Sequence, residues 1–186
     1  MGRLIYAAHT SLDGFIEDAD GNFDWSAPDD DELRFINDLM QRIGTHLYGR
    51  RMYQTMAVWE TDPALAASSP VMRDFAELWL AGDKVVYSRT LAETSTARTR
   101  IEREFDLNSV AELKASGPRD MFIAGPELAA HAIKAGLVDE YHFFVTPVVV
   151  GSGKPALPPG LPIQLELLDE RRFGNGVVYL RYAVTA

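Results

Sequence analysis

The chain has no cysteine, which excludes a disulfide framework, a thiol nucleophile and a thiolate metal site. Histidine is scarce too: the four stand scattered at His9, His46, His131 and His142, and no Gly-x-Ser-x-Gly elbow accompanies them. Hydrolase chemistry and a bound metal are therefore not expected. No run of about 18 apolar residues occurs, and no charged segment leads into an apolar core at the start. A membrane partner is not expected, and a cytoplasmic address is. Basic residues are in deficit, 18 against 27 acidic, for a net charge of −9. That balance argues against a nucleic-acid surface but leaves room for a local basic pocket.

What is present supports one folded domain over residues 1–186, since 47% of the chain is hydrophobic, enough for a sizeable core. The organising stretch runs from Asp120 to Pro155. Met121 to Ile123 is a short apolar run stopped by Gly125-Pro126. Leu128, Ala129, Ala132, Ile133 and Leu137 then recur at helical spacing, with Gly136 as a helix C-cap. Tyr141 to Val150 follows as a buried strand broken at Pro147. Strand, glycine turn, helix and strand make a place where unpaired backbone N–H groups meet an anion. Ala124-Gly125-Pro126 lacks the spaced glycines of a dinucleotide fingerprint and the Lys-Ser/Thr of a P-loop, so an ordinary turn remains open.

Earlier in the chain, Leu4 to Ala8 reads as a strand leading into an Asp-Gly turn at Asp13-Gly14. The acidic loop after it contains Asp-x-Asp-Gly at Asp18 to Gly21, but no glutamate falls where a calcium loop needs one. Pro28 to Ile43 is expected to be helical, with Asp29 to Glu32 at its positive end and Leu33, Ile36, Leu39, Met40 and Ile43 as its apolar stripe. Thr45 to Tyr48 is a strand that ends in Gly49-Arg50-Arg51-Met52. Thr61 to Pro70 reads as a loop, Val71 to Leu80 as a helix, and Lys84 to Tyr87 as a strand ending in Ser88-Arg89-Thr90. Ala92 to Glu104 reads as loop and edge strand, and Asn108 as the N-cap of the next helix. Gln164 to Leu168 and Val177 to Val184 make a hairpin around Gly174-Asn175-Gly176.

The implied fold is α/β, a three-layer α/β/α arrangement with a mostly parallel central sheet and an antiparallel C-terminal edge hairpin. In such sheets ligands lie at the carboxyl ends of strands. Three clusters fall there: Gly49-Arg50-Arg51, Ser88-Arg89-Thr90 and Gly125-Pro126-Glu127. Arginine favours bidentate phosphate contacts, so the three together point to one ligand with several phosphates.

SLDGFI at Ser11 to Ile16, YGRRMY at Tyr48 to Tyr53, VVYSRTL at Val85 to Leu91, AGPELAAHAIKAGLVDEY at Ala124 to Tyr141 and PVVVGSGKP at Pro147 to Pro155 span nearly the whole chain. In this order they resemble the dihydrofolate reductase superfamily, on the branch similar to the reductase domain of the bifunctional riboflavin-biosynthesis deaminase/reductase. Family members often carry Gly-Gly where this chain has Ala124-Gly125. The deaminase half has no counterpart here. The resemblance implies NADPH as cofactor. Gly49, Arg50, Arg51 and Met52 would lie near its phosphates and Ser88 and Arg89 at the 2′-phosphate. Gly125, Pro126, Glu127 and Leu128 would line the pyrophosphate turn, and Ala7, Ala8 and Ile16 the nicotinamide end.

It also implies a small heterocyclic substrate, pterin-like or a pyrimidine intermediate of riboflavin synthesis, and a homodimer. Dihydrofolate reductases use a buried helix carboxylate against the substrate. Counting from Trp25, itself a candidate substrate contact, Asp30 falls at that offset. Asp13, within the SLDGFI motif, is the other candidate acid, with bracing of its loop as the plainer role. A binding protein that keeps the dinucleotide pocket without turnover is the competing class.

Overall fold

Alternation along the strands sorts side chains onto two faces of one sheet, and each face then needs a helical cover. The computed structural model describes residues 2–185. The chain opens with β1 (Leu4–Ser11), β2 (Phe15–Asp18), a 3-10 turn (Asp24–Ser26), α1 (Asp30–Met40), β3 (Ile43–Gly49) and α2 (Arg50–Met56). Next come α3 (Val58–Thr61), α4 (Pro63–Ala66), α5 (Pro70–Ala81), β4 (Asp83–Tyr87), β5 (Thr99–Glu102) and α6 (Leu107–Ser116). The last part holds β6 (Asp120–Ala124), α7 (Pro126–Lys134), β7 (Glu140–Thr146), β8 (Gly153–Pro155), β9 (Leu165–Arg172) and β10 (Val178–Val184).

The main sheet runs β5-β4-β3-β6-β1-β7-β10-β9. From β5 through β7 neighbours are parallel; β10 is antiparallel to both β7 and β9. This is the mostly parallel sheet with an antiparallel edge hairpin that the element order implies. On one face Leu4, Tyr6, Leu47, Val85, Met121 and Ile123 pack under α6 and α7. On the other, Ile5, Tyr48, Val86 and Ala124 pack under α1, α2 and α5, where Trp79 is fully buried. A third cluster of Phe144, Phe173, Val177 and Tyr179 joins the terminal hairpin to Phe35 of α1. The small antiparallel pair of β2 and β8 stands apart from the main sheet. Among the described residues no helix is long and apolar enough to cross a membrane.

Local expectations hold in most places and fail in instructive ones. Gly136 takes φ +66°, and the Gly136 and Leu137 amides donate to Ile133 and Ala132, which closes α7 just past its end. The first helix is shorter than its apolar stripe implies: Asp29 caps it through the Glu32 amide, and Ile43 already belongs to β3. Asn108 is not an N-cap. Asp106 holds that place, its carboxylate accepting from the Ser109 amide at 2.7 Å. The Thr61–Pro70 stretch is not simply a loop, because Asp62 caps a further helical turn that Pro63 begins.

Candidate functional site

The carboxyl ends of β4, β3 and β6 lie side by side. Gly49 pairs in register with Tyr87, and Tyr48 with Ala124. The three polar clusters singled out from the sequence therefore leave the sheet at one edge. Two helices start there, α2 behind Gly49 and α7 behind Gly125, and neither N-terminus is closed by a side chain. Their first amides, those of Arg51, Met52, Glu127 and Leu128, precede the first intrahelical acceptors and are free for an anion. Gly125 sits at φ +92°, a conformation that L side chains rarely adopt, and Met52 Cβ would be 3.7 Å from a Cβ added there. The turn leaves room for another group to approach the backbone closely.

Arg50 is exposed and its Nη1 donates to Thr90 Oγ1 at 3.0 Å, tying two of the clusters together. Arg89 is exposed and makes no ion pair among the described residues. The Ser88 hydroxyl accepts from the Thr90 and Leu91 amides at 3.3 and 3.0 Å, which shapes the turn and leaves its own proton to donate. Arg103, which the sequence did not single out, holds the same turn. Its Nη1 donates to the Ser88 carbonyl at 2.9 Å and the Leu91 carbonyl at 2.7 Å. Arg51 differs from its neighbour in being paired, at 3.3 Å, with Glu17 of β2. Glu17 also meets Lys154 of β8 at 3.2 Å, and Lys154 reaches Glu127 at 3.0 Å. Glu17 and Lys154 were likewise missed, since 137 residues separate them. They link both helix starts to the β2–β8 pair.

That pair is braced from Asp13. Its carboxylate accepts from the Gly151 and Val150 amides at 2.7 and 3.2 Å. A hydrogen bond from Ser11, with these amides, holds the Asp13 carboxyl below its ordinary range. Asp13 thus carries the bracing contacts of its motif. Ile16 lies half-buried on β2. Ala7 and Ala8 are half-buried on β1 and point to opposite faces, Ala8 packing on the side of α7.

The helix carboxylate expected at Asp30 is elsewhere. The Asp30 side chain is 62% exposed and lies 3.8 Å from Arg34, an ordinary i,i+4 surface pair. Two residues on, Glu32 is 1% exposed. Its oxygens accept from His9 Nε2 at 2.7 Å and Asn175 Nδ2 at 3.0 Å. A helix turns about 200° over two residues, so where Asp30 faces solvent Glu32 faces the sheet. Trp25 lies in the 3-10 turn beside β1, its indole donating to the Asn22 carbonyl at 3.3 Å.

The fold is shared with solved structures of low sequence identity. A putative riboflavin biosynthesis protein from Shewanella sp. PV-4 superposes with TM-score 0.76 at 21% identity, over 99% of each chain. RibD of Acinetobacter baumannii superposes with TM-score 0.71 at 16% identity, over all of this chain and 58% of that one. A diaminohydroxyphosphoribosylaminopyrimidine deaminase/5-amino-6-(5-phosphoribosylamino)uracil reductase from Thermotoga maritima gives 0.63 at 14%, over 57% of its length. In sequence, the uncharacterized protein YyaP of Bacillus subtilis (strain 168) is 31% identical over 182 residues, 97% of this chain and 94% of that protein. The RibD C-terminal domain pattern matches residues 3–179, and over that span, with the fold and the strand-end clusters in place, the chain belongs to the RibD C-terminal domain family.

Proposed function

We propose that the protein is an NADPH-dependent reductase of a small nitrogen heterocycle, working as a homodimer. One observation carries the reading: Arg50, the Ser88–Arg89 turn and the Gly125 turn converge at the ends of three adjacent strands. In a chain of net charge −9, exposed arginines gathered at one edge are where an incoming phosphate is held. Arg89 and Ser88 would take the 2′-phosphate. Gly49, Arg50, Arg51 and Met52, with Gly125, Pro126, Glu127 and Leu128, would take the pyrophosphate, and Ala7, Ala8 and Ile16 the nicotinamide end.

When bound, the reduced nicotinamide supplies a hydride. The chain's own residues bind, orient and enclose, so most of the rate comes from positioning. The substrate would lie toward α1 and Trp25. The substrate class is pterin-like or, as in the name of the Thermotoga relative, a 5-amino-6-(5-phosphoribosylamino)uracil. The dimer would cover Leu12 and Val149, 67% and 65% exposed, on the braced loops.

NADPH oxidation across a panel of dihydropterins and aminopyrimidine ribosides tests the activity, with turnover of at least one member expected. Saturable NADPH binding without oxidation of any member favours a binding protein instead. Sedimentation at micromolar concentration tests the dimer, which a sole species at the 20.7 kDa monomer mass would remove.

A further inference from the structure

We propose that His9 is the residue that delivers the proton in this reduction, with Glu32 as the carboxylate that positions it. The inference rests on the reductase reading above and concerns how its site works.

Glu32 is too enclosed to meet a ligand itself. It is 1% exposed, and each oxygen already has a donor, His9 Nε2 on one and Asn175 Nδ2 on the other. His9 is the member of the pair that reaches the open side, with a quarter of its side chain accessible. Its ring stacks on Phe144 at 4.7 Å between centroids and 18° between planes, so its orientation is set from two directions. With Nε2 committed to Glu32, Nδ1 is left without a partner among the described residues.

Alternation places His9 on the same face of β1 as Ala7, one rung nearer the carboxyl end, about 6.6 Å along the strand. Ala7 is one of the residues assigned to the nicotinamide end, so on that assignment His9 would stand beside the reacting ring. A second polar group waits nearby. Thr146 pairs in register with Ser11, and His9 with Phe144, so the Thr146 side chain emerges on the His9 face one rung further out. The Thr146 hydroxyl is buried and has no hydrogen-bond partner. An unpartnered hydroxyl and an unpartnered imidazole nitrogen, on neighbouring strands and one face, leave hydrogen bonds for a polar ligand to complete.

The molecule contains its own control. His142 and Glu140 form the other buried histidine–carboxylate pair, at the amino end of β7. There both ring nitrogens are used, Nε2 by Glu140 at 3.1 Å and Nδ1 by Tyr179 Oη at 3.0 Å, and two arginines complete the carboxylate. A structural pair is closed at every atom. The His9 pair is open at one, on the side where ligands enter this class of sheet.

The chemistry balances. Hydride adds to the carbon of a substrate C=N or C=O bond, and the π electrons move to nitrogen or oxygen. That atom takes the proton from His9 Nδ1, which leaves neutral imidazole with Nε2–H still on Glu32. Water returns the proton, for a sum of substrate, NADPH and one proton to reduced product and NADP⁺. Asn175 and Phe144, the other groups against this pair, are uncharged, so Glu32 is the charge that orients the imidazolium.

The experiment uses the full chain, His9→Gln and Glu32→Gln, with NADPH, NADP⁺, dihydrofolate and 5-amino-6-(5-phosphoribosylamino)uracil as probes. In His9→Gln, kcat should fall roughly a hundredfold or more while the NADPH Kd stays within about twofold. In protein carrying ¹⁵N-histidine, the His9 signals are those missing from His9→Gln. Nδ1 should shift when a heterocycle joins the NADP⁺ complex, and Nε2 should shift in Glu32→Gln. His9→Gln keeps the test whole if Glu32→Gln does not fold. Full turnover in His9→Gln, or an unmoved Nδ1 in a complex that has bound heterocycle, overturns the role of His9 and spares the reductase reading. No NADPH oxidation by the wild type with any heterocycle overturns both.

Discussion

Gly49 and Tyr87 are register partners on the last rung of the β3–β4 pair, so Arg50 and Ser88 leave the sheet as neighbours. The Arg50–Thr90 hydrogen bond follows from that rung, and Arg89 is left exposed beside it. A charge-assisted contact to phosphate is worth roughly 1.5–3 kcal/mol. Arg89→Ala should therefore weaken NADPH about ten- to a hundredfold and leave NADH, which lacks the 2′-phosphate, nearly unchanged. Titrating both cofactors against both proteins checks this. Equal losses, or none, mean that Arg89 does not read that phosphate.

At the neighbouring strand end, Gly125 combines φ +92° with ψ 118°, and a Cβ added there would meet Met52 Cβ at 3.7 Å, an ordinary contact. Gly125→Ala should cost roughly 1–3 kcal/mol of stability through backbone strain alone. It should weaken NADPH and NADH alike, because the pyrophosphate is common to both. Thermal melts with paired titrations separate the two effects, and a variant as stable and as tightly binding as wild type would contradict the pyrophosphate assignment.

Much of this edge was legible in the sequence because each cluster directly follows a short apolar run, and a strand's carboxyl end is a local feature. The buried carboxylate was not. Asp29, Asp30, Asp31 and Glu32 are alike in chemistry, and an offset counted from Trp25 cannot tell which one faces the sheet. Helical phase could have: Glu32 stands four before Ile36 and eight before Met40, on the apolar stripe itself. Its partners could not, since His9 lies 23 residues away and Asn175 lies 143, and a tertiary hydrogen bond leaves no local trace. Separation along the chain likewise hid Lys154 from Glu17, and Arg103 from the Ser88 turn only 15 residues away. Asp13 was weighed as an acid and as a brace of its loop, and the contacts it makes are those of a brace.

That brace holds a clamp that can be opened from one atom. Gly153 lies so close to the Glu17 carbonyl that an added Cβ would run into it, and Glu17 is the residue that Arg51 and Lys154 share. Gly153→Ala should part β2 from β8. Amide exchange at Glu17 and Lys154, which face each other across the pair, should speed up at least tenfold, and NADPH binding should weaken as Arg51 and Lys154 lose their tether. Hydrogen–deuterium exchange reads the first effect, and unchanged protection would show that the clamp tolerates the methyl.

Toward the amino end of β7, Glu140 joins Arg3, Arg181 and His142. Burial opposes its ionisation, but hydrogen bonds from His142 and Arg181 and the charges of Arg181 and Arg3 outweigh it, holding the carboxyl down at about 2. A carboxyl depressed by folding stabilises above its unfolded value, near 4.5, and the contribution is lost as pH falls toward 2. The drop from 4.5 to about 2 corresponds to about 3 kcal/mol at neutral pH. Glu140→Gln should therefore melt well below wild type at pH 7, and the gap should narrow steadily between pH 4.5 and 2, where the wild-type carboxyl takes up its proton. Denaturant melts of both proteins across that range decide it. A gap as wide at pH 2.5 as at pH 7 would mean that packing, and not the charge on Glu140, is what the substitution removes.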